Sequence, residues 1–142
     1  MPATIPKSDF KRRRTALMNL MDEESIAVIP SARVKTRNRD SDFLFRQDSD
    51  FHYLTGFNEP DAVLVLAPGR AHGEVILFCR DREARAELYD GERLGPDRAA
   101  QIVGVDDAFP VADLDDILPG MLEGRERIYF GLGDHPEFEN RL

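Results

Sequence analysis

A chain of 142 residues, 42% of them hydrophobic, can bury one core and not two, so one globular domain is expected. Its 27 acidic residues against 19 basic ones leave a net charge of −8, which repels a phosphate backbone and argues against nucleic acid as a partner. No run approaches the roughly 18 apolar residues of a membrane span, and Met1 to Lys7 lacks a signal-like apolar core; a soluble, cytoplasmic protein with no membrane partner is expected.

The first predicted element is a helix over Asp9 to Met21. Ser8 suits its N-cap, Asp9 its positive end, and Phe10, Leu17, Leu20 and Met21 its apolar stripe. The basic run Lys11-Arg12-Arg13-Arg14 then reads as a solvated helix face in preference to an anion patch. Ile26-Ala27-Val28-Ile29, rich in β-branched residues and stopped by Pro30, reads as an interior strand. Residues 31–50 are polar and aperiodic, a long ordered loop of the kind that tends to be functional.

Phe51 to Thr55 mixes aromatics with Leu54 in strand-like fashion until Gly56 breaks it, and Asn58-Glu59-Pro60-Asp61 has turn chemistry. Ala62 to Ala67 is apolar throughout, and Pro68-Gly69 and Gly73 bracket a tight connection to Glu74–Cys79, so an antiparallel hairpin is predicted. Cys79 is the only cysteine; it forms no internal disulfide and reads as a small core residue.

Arg80 to Arg93 allows helix or strand. Pro96 to Ile102 reads as a helix with Gly104 near its end, and Phe109 to Val111 as an edge strand in which Pro110 removes a ladder donor. A helix follows over Leu114 to Leu122, with Pro119-Gly120 placed to end it early, then a strand over Arg127 to Gly131. Pro136 to Leu142 starts a further helix with no stop signal, so the chain is expected to be a truncated piece of a longer one. Helices alternating with strands, one hairpin among them, predict an α/β fold with a mixed sheet of about five to six strands flanked by helices.

No catalytic constellation emerges from spacing. His52, His72 and His135 are scattered without metal-ligand spacing. Asp40-Ser41-Asp42 and Asp48-Ser49-Asp50 lack the Gly and distal Glu of a calcium loop and read as caps and turns. Gly131-Leu132-Gly133 has no third glycine for a dinucleotide fingerprint, and Ser31, Ser41 and Ser49 have no His and Asp at a recognisable triad spacing.

Residues 53–62, Tyr-Leu-Thr-Gly-Phe-Asn-Glu-Pro-Asp-Ala, preceded by Phe45 to Phe51, closely resemble the amino-terminal domain of aminopeptidase P, a Xaa-Pro aminopeptidase of the creatinase/prolidase-related family. The Phe10 to Arg14 helix, the Arg37 to Ser41 loop, the Ala62 to Leu66 strand and Asp90-Gly91-Glu92-Arg93-Leu94-Gly95 extend the resemblance over essentially the whole chain. It implies a parent metallopeptidase that releases the first residue of peptides with proline in second position. In that family a carboxy-terminal domain holds two divalent metal ions, usually manganese, through two Asp, one His and two Glu, and a bridging hydroxide attacks the Xaa-Pro bond. The resemblance implies none of those ligands within residues 1–142, so the domain is expected to have no metal, no cofactor and no catalytic residue of its own. It is expected to wall off the site and to contribute contacts in a homo-oligomer.

The resemblance carries two positions over individually. Asp40 matches an acidic residue near the active-site cleft, where it would hold a basic group or the peptide amine; a loop-organising carboxylate is the equal alternative. Tyr89 stands where relatives often carry a Trp that reaches a neighbouring subunit's substrate pocket; a half-exposed aromatic packing locally is the alternative. Arg46 fits the motif too and reads as an organiser of the acidic loop. Two other readings stay open: a prolidase, which cleaves Xaa-Pro dipeptides, and a non-catalytic interaction module of the same fold, as in a histone-chaperone subunit.

Overall fold

Three continuous apolar runs form the centre of the sheet, because a strand covered on both faces has no position left for a polar side chain. In the computed structural model, which describes residues 6–31, 49–83, 87–88 and 93–130, β1 (Ser25–Pro30), β2 (Val63–Leu66) and β3 (Val75–Cys79) are buried at every position. β2 runs antiparallel to both neighbours, with Val65 opposite Val28 on one side and Ile76 on the other. The predicted hairpin is therefore present. β4 (Asp107–Pro110) joins β3 in parallel and β5 (Arg127–Phe130) joins β1 in parallel, giving the order β4-β3-β2-β1-β5. This is the expected mixed α/β sheet, with five strands.

Alternation along the strands divides the core in two. Ala27, Ile29, Leu64, Leu66, Leu77 and Cys79 share one face with Phe51 and Leu54 of α2 (Ser49–Thr55) and with Ala99 and Val103 of α3 (Gly95–Val103). Leu17, Met18 and Met21, from α1 (Lys7–Leu20) and its C-cap, close this layer. On the other face Ile26, Val28, Val65, Ile76 and Phe78 meet Leu114, Leu118 and Met121 of α4 (Leu114–Leu122). Cys79 is a core residue, as expected, and burial pushes its thiol up to about 12, with the charges of Glu59 and Asp81 acting the same way. That removes the thiolate that reactive cysteines need.

Several expectations are corrected. The first helix begins at Lys7, with Pro6 and not Ser8 at its N-cap: the ring holds Pro6 at φ −62°, an extended lead-in that starts the helix two residues early. Its inward stripe is Phe10, Arg14, Leu17, Met18 and Met21, while Leu20 is 86% exposed. Arg14 is consequently buried, and the basic run is not one solvated face. Phe51 to Thr55 is helix and not strand, because Phe51, Leu54 and Thr55 are the positions that must be buried, and a spacing of three and four places them together only on a helix. The helix expected over Leu114 to Leu122 has those bounds, and it continues through Pro119 because burying both Leu118 and Met121 requires the turn. Val111 leaves the β4 edge for a 3-10 turn, Val111–Asp113.

Candidate functional site

The stretch from Tyr53 to Ala62 turns out to be a junction on which three separate elements converge. Arg14 reaches across the layer to donate from Nη1 to the Leu54 carbonyl at 2.8 Å, and from Nη2 to the Val103 and Gly104 carbonyls at 3.2 Å. These carbonyls end α2 and α3, where the helix dipoles leave partial negative charge, so one guanidinium caps two helix C-termini. Burial draws the Arg14 pKa down from its ordinary value, and Asp106 opposes the shift. Arg13, one residue earlier, faces outward: its guanidinium lies 4.3 Å from the Tyr53 ring centroid and 5.1 Å from that of Phe10, and Nη1 donates to the Tyr53 carbonyl at 3.1 Å.

Thr55 and Gly56 terminate α2. The Thr55 hydroxyl donates to the Phe51 carbonyl at 2.8 Å and accepts from the Phe57 N–H at 3.0 Å. Gly56 has φ +66°, and a Cβ there would stand 2.6 Å from two ring carbons of Phe10. Only glycine satisfies both conditions. At the far end, the Ala62 N–H donates to Ser31 Oγ at 2.8 Å in a buried exchange that joins the motif to the end of β1. Ser31 thereby acts as a brace and not as a nucleophile.

Glu59 binds the motif to the segment 80–94. One carboxylate oxygen lies 3.4 Å from Arg80 Nη2, and the other accepts the Leu94 N–H at 2.9 Å, so both ends of the segment meet on one side chain. The neck is tied further. Arg93 N–H donates to Glu87 Oε1 at 2.6 Å, Arg82 Nε lies 3.3 Å from the same oxygen, and Arg93 Nη1 reaches the Asp81 carbonyl at 3.4 Å. The Arg93 N–H, aided by Arg82, holds the Glu87 carboxyl below its usual range against the opposing effect of burial. Replacing Glu59 by Ala is expected to raise amide hydrogen exchange at Leu94 about tenfold or more, the consequence of leaving a half-buried N–H and Arg80 without their acceptor at a cost of about 1–3 kcal/mol. Unchanged exchange at Leu94 would show that the neck is held by other contacts.

Between α1, α2 and β5 lies a groove of about 600 Å³, lined chiefly by Leu17, Leu20, Met21, Ile29, Tyr53 and Tyr129. Among the described residues its charged lining is confined to Arg13 and Asp50. Tyr53 is 56% and Tyr129 45% exposed.

Asp40, Tyr89 and Arg46 lie outside the described residues, as do His135, Gly131-Leu132-Gly133 and the pair Asp40 and Asp42. Of the remaining singled-out groups, His52 stands edge-on to Phe10 with ring centroids 6.3 Å apart, and His72 is exposed in the β2–β3 turn. Asp50 is exposed in the first turn of α2 and lines the groove. Among the described residues no three His, Cys, Asp or Glu side chains converge as a metal-donor set, and no helix is long and apolar enough to cross a membrane. The residues that organise the region, Arg14 and Glu59, carry no spacing signal; their partners are 21 to 90 positions away in the chain.

The mixed sheet, its three-helix face and the stapled segment define an α/β domain of the aminopeptidase P amino-terminal type. The pattern of that domain, "Aminopeptidase P, N-terminal domain", matches residues 10–129. The structure superposes on that of Pseudomonas aeruginosa aminopeptidase PepP with a TM-score of 0.90 at 58% identity, over 96% of this chain and 31% of that one. Escherichia coli aminopeptidase P with the inhibitor Pro-Leu gives a TM-score of 0.89 at 39% identity, over 98% of this chain and 32% of that one. In sequence, the chain is 42% identical over 132 residues to the Xaa-Pro aminopeptidase of Escherichia coli, covering 92% of this chain and 30% of the relative. It is 33% identical over 139 residues to human Xaa-Pro aminopeptidase 3, covering 89% and 27% respectively. The chain belongs to the aminopeptidase P (Xaa-Pro aminopeptidase) family and corresponds to its amino-terminal domain. It spans about a third of the length of these relatives.

Proposed function

We propose that this chain is the non-catalytic amino-terminal domain of a metal-dependent Xaa-Pro aminopeptidase, a protease that removes the first residue of peptides with proline in second position. The observation that carries this reading is the match to Pseudomonas aeruginosa aminopeptidase PepP, 58% identical across 96% of the chain. By family resemblance, the ligands for two divalent ions, manganese among the candidates, are assigned to polypeptide beyond this domain. What this domain supplies is shape. A proline peptide lacks the N–H that would pair with a strand edge, so its recognition depends on walls that fit a short bent end.

In this reading Asp40 and Tyr89 contribute to the substrate cleft, Tyr89 from a segment whose two ends are tied by Glu59, and the parent protein assembles as a homo-oligomer. The staple supports the second assignment because a residue meant to act at a distance from its own core needs a fixed base.

Substrate length tests the proposal. The full-length gene product with manganese is expected to cleave a longer Xaa-Pro peptide with kcat/KM at least about tenfold above that for a Xaa-Pro dipeptide. Preference for the dipeptide would instead identify a prolidase, and cleavage of neither would favour an interaction module.

A further inference from the structure

β4 is a terminal strand of the sheet, and its strand neighbour among the described residues is β3. The outer rim of such a strand ordinarily offers N–H and C=O groups on which another strand can pair. Which residues form that rim follows from β3. The Val75 N–H donates to Asp106 Oδ2 at 3.0 Å, and the Val75 carbonyl accepts the Asp106 N–H at 2.9 Å, so the main-chain groups of Val75 face β4. By alternation those of Leu77 and Cys79 do the same. Asp107 stands opposite Ile76 and Phe109 opposite Phe78, and in a parallel pair a residue facing across bonds to the two that flank its opposite number. Asp107 and Phe109 therefore turn their main-chain groups to β3, and Ala108 and Pro110 turn theirs outward.

Neither outward position has a donor to offer. Pro110 lacks the N–H altogether. The Ala108 N–H donates at 2.9 Å to Oδ1 of Asp107, so the preceding side chain is folded along the rim and occupies it. Asp107 is exposed, so core packing does not account for its carboxylate, whereas Ala108, Phe109 and Pro110 are half-buried and would suit a covered strand. The inner side of β4 is finished in the opposite way: Asp106 Oδ2 also accepts the Glu74 N–H at 3.0 Å, and Phe109 rests on Phe78 with ring centroids 5.8 Å apart. The strand is firmly bonded inward and stripped of donors outward.

We propose that the β4 rim is a guarded edge, on which the Asp107 carboxylate and the Pro110 ring together keep a second copy of this chain from adding to the sheet strand to strand. An antiparallel pairing of two such rims about Phe109 sets Ala108 of one copy against Pro110 of the other, and each of its bonds needs one of the two withheld donors. The guard acts on main-chain hydrogen bonds, and removing it leaves the core untouched. Pro110 has φ −60° and ψ 138°, an extended conformation open to any residue, so Pro110→Val keeps the backbone and supplies the N–H.

A local measurement comes first. In Asp107→Ala the Ala108 N–H loses its acceptor, and its amide is expected to exchange about tenfold or more faster in dilute protein while Phe109 keeps its rate. An Ala108 rate equal to that of the unsubstituted chain would overturn the proposal, since the carboxylate would then mask nothing. Association is measured next, by sedimentation of the 142-residue chain over a range of concentrations. Asp107→Ala/Pro110→Val restores both outward donors and is expected to self-associate at least about tenfold more tightly than the unsubstituted chain, with each single substitution between the two. Ala108 exchange in the double variant should slow as concentration rises, which places the contact on this rim. Equal association of the double variant and the unsubstituted chain would remove the guard, and so would association that leaves Ala108 exchange independent of concentration. Asp107→Asn/Pro110→Val separates the hydrogen bond from the charge. Asparagine keeps Oδ1 as an acceptor, so this variant is expected to associate like Pro110→Val alone. Association as tight as that of Asp107→Ala/Pro110→Val would assign the protection to charge repulsion and contradict the masking.

Discussion

Arg14→Ala is expected to destabilise the domain by about 3–5 kcal/mol, a fall in Tm of more than about 10 °C. The substitution withdraws the donor to the Leu54, Val103 and Gly104 carbonyls, and it empties a site that is 1% exposed. Three elements lose their common tie at once, since α1 carries the arginine and α2 and α3 carry the acceptors. Lysine keeps the charge but cannot fork, so Arg14→Lys should recover part of the loss and leave at least one carbonyl unmet. Chemical denaturation of the three proteins side by side measures both steps. Equal stability of Arg14→Lys and the parent would show that charge alone, without the fork, holds the junction.

Gly56→Val is expected to cost about 3 kcal/mol or more, the sum of a left-handed backbone that a β-branched residue resists and a collision with the Phe10 ring. The two contributions separate experimentally. With Phe10→Ala in place the collision is gone, so adding Gly56→Val to that background should cost only the backbone part, about 1–2 kcal/mol. Additive effects of the two substitutions in a double-mutant cycle would contradict the close approach of Phe10 to this glycine.

Both predictions concern residues that the sequence pointed to for other reasons. The central strands were legible because Ile26 to Ile29, Ala62 to Ala67 and Val75 to Cys79 are apolar without interruption, a pattern that survives without knowledge of any partner. Phe51 to Thr55 misled because aromatic and β-branched residues favour strands in isolation, whereas its fate was decided by which side chains the sheet could cover. Arg14 was unreadable for a related reason. A charge in an apolar stripe looks like the end of the stripe until two helix C-termini, 40 and 89 residues on, supply its acceptors.

The same division runs through the Tyr53 to Ala62 stretch. As a string it resembled a family; as a structure, several of its residues have mechanical tasks. Leu54 receives Arg14, Thr55 and Gly56 stop α2, Glu59 gathers the ends of the 80–94 segment, and Ala62 meets Ser31. Resemblance identified the family correctly through residues whose contribution is to hold parts in place. Asp40 and Tyr89 were carried over from the family and not from spacing, and they lie outside the described residues; their part in a substrate cleft belongs to the proposed function.

The division of labour between this domain and the rest of the protein is tested most directly by release of the first amino acid from a Xaa-Pro peptide, measured with manganese for purified residues 1–142 and for the full-length gene product at equal concentration. The account predicts turnover by the longer protein and none by the 142-residue chain. Turnover by the shorter chain that co-purifies with it through successive separations would contradict it.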